Sequence, residues 1–152
     1  MKHRHAISIF SALVMAISLA IPAEAAGPIT VGVLLCNNNG GSANVPAASV
    51  VTFWYGWGSK TQRQANQFVN RASVRFTVRG TAIANPNSYW GTPVQVEGGD
   101  WVVSWRYPFG KLGTGNTARI TMQLTLTRSV SDGYSTYPAG PIHSPALKCK
   151  IY

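Results

Sequence analysis

Residues Thr117–Thr127 alternate without a break. Ala118, Ile120, Met122, Leu124 and Leu126 fall on one side, and Thr117, Arg119, Thr121, Gln123, Thr125 and Thr127 on the other. A strand turns successive side chains to opposite faces, so this segment lies flat with one face buried and the other wet; a helix would scatter the same residues around its circumference. The pattern recurs in Val74–Arg79, in Val51, Phe53, Tyr55 and Trp57, and in Trp101, Val103, Trp105 and Tyr107. It returns near the end, where Leu147, Cys149 and Ile151 interleave with Lys148 and Lys150. Ile29–Cys36 is apolar at almost every position, which predicts a strand covered on both sides. Turn residues separate the runs: Asn37–Gly41, Gly80, the Gly98-Gly99-Asp100 step of an expected hairpin, and Gly110, Gly113 and Gly115.

Ser59-x-x-Gln62 has the spacing of a capping box, with Ala65, Phe68 and Val69 on one helical face behind it, so one short helix is expected over 59–70. About seven strands with one buried face each predict an all-β chain, a two-layer, mostly antiparallel β-sandwich, with a small closed barrel as the alternative. An outer-membrane barrel fits poorly, because the strands are too few and their aromatic residues too concentrated.

The start of the chain sets the compartment. Met1–His5 is basic, Ala6–Pro22 is an apolar run, and Ala23-Glu24-Ala25-Ala26 carries small residues at Ala23 and Ala25. This is the layout of a cleaved export signal over residues 1–26, leaving 27–152 as one domain. No later stretch is long and apolar enough to span a membrane as a helix. The expected location is secreted, extracellular or periplasmic. Two Cys in an exported chain pair most simply, so Cys36 and Cys149 are expected to be joined. Taking Lys2 and Arg4 from the 13 basic residues and Glu24 from the 4 acidic ones leaves 11 and 3, a net charge near +8.

Val51–Trp57, the paired Trp101 and Trp105, and the long strand Thr117–Thr127 together resemble bacterial extracellular immunoglobulin-like β-sandwich domains, over roughly Val45–Tyr152. The immunoglobulin Cys pair flanking a buried Trp is absent, since Cys36 and Cys149 stand at the two ends of the mature chain. The resemblance therefore implies a fold and a binding, adhesive or spacing role, and assigns no functional residue.

Three carboxylates and one His leave little equipment for catalysis or metal binding after the signal. Asp132, His143, Ser131 and Ser144 share a late segment, but neither Ser has an oxyanion-type sequence around it. Glu97 and Asp100 flank an expected turn, the wrong placement for a glycosidase pair. No catalytic residue, cofactor or metal is expected. The candidate anion-binding residues are Arg75, Arg79 and Arg119, on the polar sides of two strands, because guanidinium groups pair with phosphate or carboxylate through two parallel hydrogen bonds. The candidate ligand-stacking residues are Tyr89 and Trp90, beside a loop, and Tyr134 and Tyr137, within the aperiodic segment 129–145. Trp101, Trp105, Tyr55 and Trp57 are expected in the core. The function expected is non-enzymatic binding to, or coating of, an anionic polysaccharide, glycan or envelope protein. A structural or accessory subunit is the first alternative and a small secreted hydrolase the last. Export argues against intracellular nucleic acid as a partner.

Overall fold

The computed structural model describes residues 27–152; the expected signal, residues 1–26, lies outside them. Strands account for 47% of the structure and helices for 16%, so the mostly-β class predicted by the alternation holds. Two sheets pack face to face. The first has the order β1 (Ile29–Gly32), β3 (Val50–Ser59), β7 (Trp101–Lys111) and β6 (Val94–Gln95). The second runs β2 (Ser42–Ala43), β12 (Leu147–Ile151), β8 (Ala118–Leu126), β4 (Ala72–Val78) and β5 (Thr81–Ala82), and β11 (Gly140–Pro141) also pairs with β8. A small two-stranded ribbon joins β9 (Val130–Ser131) to β10 (Thr136–Tyr137). Most pairings are antiparallel; β1 with β3 and β2 with β12 are parallel.

The alternating residues meet between the sheets. Val51, Phe53, Tyr55 and Trp57 of β3 and Val103 and Trp105 of β7 are buried against Val74 and Phe76 of β4 and Ile120, Met122 and Leu124 of β8. Phe76 reaches across to both strands of the first sheet, with ring centroids 6.0 Å from Phe53 and 4.8 Å from Trp105. The Gly98-Gly99 hairpin is present, both glycines having positive φ, and it joins β6 to β7.

Two expectations change. Ile29–Cys36 is not one strand: β1 ends at Gly32 and helix α1 (Val33–Asn38) follows. Val33 and Cys36, three apart, turn inward, while Leu34 and Leu35 are 41% and 64% exposed. An unbroken apolar run does not distinguish strand from helix. Here the chain must leave the first sheet after β1 and enter the second at β2, and a turn of helix makes that step. It also carries Cys36 to Cys149 of β12, and the disulfide is formed across a sequence separation of 113 with the Cα atoms 5.6 Å apart.

The second change concerns the other helix, α2 (Gln62–Arg71). Its cap falls two residues later than the expected one. Thr61 is the N-cap: its hydroxyl accepts from the Gln64 backbone N–H, and the Gln64 side chain accepts from the Thr61 N–H at 3.1 Å. Thr61-x-x-Gln64 and Ser59-x-x-Gln62 overlap in the sequence, and the sheet decides between them. Ser59 is still paired with Trp101 in β3 and is buried, its hydroxyl donating to the Thr61 carbonyl at 3.0 Å.

Candidate functional site

Strands β4, β8 and β12 lie side by side, and their register builds the outer face of the second sheet in rows. Arg119 stands opposite Lys150, which stands opposite Ser42 of β2. Thr121 lies between Thr77 on one side and Lys148 on the other, and Arg75 faces Gln123. Inward neighbours such as Phe76, Ile120 and Cys149 are buried, so the alternation forces these polar and basic side chains outward. Arg119 and Lys150 are thus direct cross-strand neighbours. Arg75 is one strand over and four residues along, about 13 Å away at the strand rise. A groove of about 450 Å³ follows the β2–β12–β8 side of this face, with Gly41, Ser42, Arg119, Thr121, Lys148 and Lys150 in its lining.

Arg79 departs from the expected pattern. The strand ends at Val78, and Arg79 with Gly80 forms the two-residue turn to β5, with φ of 51° and 84°. Its backbone N–H still donates to the Arg119 carbonyl at 2.7 Å. Its guanidinium leans over the rim, 6.0 Å from the Phe109 ring centroid of the other sheet. Lys148 and Lys150, absent from the candidates read in the sequence, take its place on the face. The signal for them is their alternation with Leu147, Cys149 and Ile151; their pairing with β8 joins residues that only the fold brings together.

The carboxylates sit elsewhere. Glu97 and Asp100 flank the β6–β7 turn, and Asp132 lies in the ribbon. Asp132 Oδ1 accepts from the Tyr134 and Ser135 backbone N–H groups at 2.7 Å each, and Oδ2 accepts from the Tyr137 hydroxyl at 3.0 Å. Burial alone would push its pKa up, but the two backbone donors and the Tyr137 hydroxyl favour the charged form, and the net shift is downward. The Tyr134 hydroxyl donates to Asp100, which raises the Tyr134 pKa, and Lys60 Nζ stands 4.5 Å from the Tyr134 ring centroid.

The four stacking candidates separate in the same way. Tyr134 is 64% exposed. Tyr137 is half-buried with its ring edge-on to Trp57 at 4.8 Å. Tyr89 and Trp90 fold back onto the open side of the core. Tyr89 packs on Trp105 and Tyr107, and Trp90 on Phe68 and Tyr55. Their loop is tied down by the Trp105 indole N–H donating to the Pro86 carbonyl at 2.7 Å and by Asn87 accepting from the Val74 N–H at 2.8 Å.

Asp132, His143 and Ser131 have separate partners. His143 Nε2 is 2.9 Å from the Tyr55 hydroxyl, and the Ser131 hydroxyl donates to the Ser135 carbonyl. Burial lowers the His143 pKa. Burial, with the nearby Tyr137 adding, pushes Tyr55 up to about 12. Among the described residues, no group of three or more His, Cys, Asp or Glu side chains is placed to hold a metal ion, and no helix is long and apolar enough to cross a membrane. The chain matches no family model, no curated protein and no solved structure.

Proposed function

We propose that this is an exported, non-enzymatic protein that binds an anionic polymer, a polysaccharide or an acidic envelope component, on the outer face of its second sheet. One observation carries the reading: the adjacency of β4, β8 and β12 puts Arg75, Arg119, Lys148 and Lys150 on one surface, while Glu97, Asp100 and Asp132 lie on other elements. A surface of one sign attracts a polyanion from a distance and holds it by several exchangeable contacts. Export is supported by the basic and apolar start of the chain and by a disulfide compatible with an extracellular or periplasmic location. An immunoglobulin-like architecture is supported by two largely antiparallel sheets around an aromatic core, and it assigns no residue a role.

Leu34 and Leu35, exposed beside the edge strand β1, favour a second reading, an accessory subunit docked through α1. The two readings part in a binding assay on a sulfated polysaccharide. Arg119→Gln with Lys150→Gln is compared with Arg63→Gln and Arg128→Gln, which remove the same charge from α2 and from the segment after β8. The first pair is expected to lose most of the affinity and the second little. Equal losses, or none, would overturn the assignment to this face.

A further inference from the structure

The outer face of the first sheet does not look like a solvated surface. The outward positions of β3 are Val50, Thr52, Trp54, Gly56 and Gly58, and those opposite on β7 include Pro108, Arg106, Ser104 and Val102. Val94, paired with Val102 at the β6 edge, is 55% exposed. A wet antiparallel face is normally polar. This one mixes Val50, Trp54, Gly56, Gly58, Val102 and Pro108 with the polar Thr52 and Ser104 and the basic Arg106 and Lys111, and β3 and β7 place no carboxylate on it.

At its centre, Trp54 lies down on the backbone. A Cβ on Gly56 would meet the six-membered ring of the Trp54 indole at 2.6 and 2.8 Å, so the ring occupies the space directly over the glycine. Only glycine permits this. The ring thus packs against the strand at Gly56, and Trp54 as a whole is partly exposed. Above Gly58, the next outward position, the space is open. Arg106 stands directly opposite Trp54, and Ser104 directly opposite Gly56. Beyond them the surface drops into a groove of about 540 Å³ whose lining includes Ser104, Arg106, Pro108, Thr92 and Val94.

We propose that this Trp54 platform is a second binding site, independent of the basic face, for the pyranose rings of a carboxylate-bearing glycan. The face of an indole is electron-rich, and the C–H groups on one face of a pyranose are its natural complement. A ring already held against the strand offers that contact without reorganisation. Arg106 supplies the donor pair for a uronate carboxylate, and Ser104 a hydroxyl partner. A second copy of the chain is a poorer occupant, because pairing this face with itself would bring Arg106 and Lys111 of both copies together.

The test uses oligogalacturonate as the carboxylated pyranose and a cello-oligosaccharide as the neutral one, both titrated in the Arg119→Gln with Lys150→Gln background so that the basic face does not take up the uronate, and polyphosphate, titrated on the parent protein, as a polyanion without rings. The Trp54 indole N–H resonance is expected to shift with oligogalacturonate and to stay put with polyphosphate. Trp54→Ala should weaken oligogalacturonate binding about tenfold, the scale of one aromatic contact, and leave polyphosphate binding unchanged. Trp54→Phe should retain most of the affinity. Arg106→Gln should erase the preference for the uronate over the neutral sugar. An unmoved Trp54 resonance, or parental oligogalacturonate affinity in Trp54→Ala, would overturn the site. Loss of polyphosphate binding in the Arg119 and Lys150 variants is read separately, so either face can fail alone.

Discussion

Individual side chains in the core carry the clearest energetic consequences. Tyr55 is 4% exposed and its pKa stands near 12 instead of 10.0, first because burial penalises the phenolate. A raised acid pKa favours the neutral form, so its contribution is intact below pH 10 and is lost as pH rises from 10 towards 12. A displacement of that size corresponds to about 2–3 kcal/mol. Unfolding free energy measured from pH 9 to 12 should therefore fall, and Tyr55→Phe should flatten the fall. The residues that produce this environment are readable in the sequence. Alternation alone places Tyr55, Trp57, Trp101, Val103 and Trp105 on inward faces; all are buried except Trp101, at the start of β7, which is half-buried. Tyr89 and Trp90 are harder to place. Asn85-Pro86-Asn87 reads as loop sequence, and what folds that loop onto the core is a pair of hydrogen bonds to Val74 and Trp105 on other strands.

Among the strands and helices, segments with a long period-two run form where the pattern puts them. The strands expected at Val51–Trp57, Trp101–Tyr107 and Thr117–Thr127 are β3, β7 and β8, with ends displaced by a few residues at most. Short or ambiguous segments are less legible, for physical reasons. The Ile29–Cys36 run lacks the polar positions that separate one period from another, so its division into β1 and α1 is hidden. The two overlapping capping boxes differ in whether Ser59 is still held in the sheet, a tertiary fact. The cap makes a direct prediction. Thr61→Ala should destabilise the fold by about 1 kcal/mol in urea titration, the usual value of a lost N-cap. Arg71, whose guanidinium donates to the Ser129 carbonyl, ties the end of the same helix to the segment after β8.

Two long-range features organise the molecule as a whole. The Cys36–Cys149 bridge closes a loop of 113 residues, and the chain-entropy model assigns such a closure about 4–5 kcal/mol. Reduction should lower the thermal midpoint while leaving a cooperative transition, since the aromatic core spans both sheets without it. A non-cooperative melt after reduction would show that the core depends on the bridge. The other feature is the separation of charge. Arg75 and Arg119 are legible as outward residues, but the company they keep is not. Sheet order brings Lys148 and Lys150 from the end of the chain beside β8, and the Arg79-Gly80 turn swings Arg79 to the rim. If the four basic residues on this face act together on a polyanion, affinity for polyphosphate must depend steeply on salt. Counterion release predicts a straight line of log affinity against log salt, with a slope of about −3 for four contacts, falling by roughly half in Arg119→Gln with Lys150→Gln. A parent slope near zero, or a variant that keeps the parent slope, would contradict it.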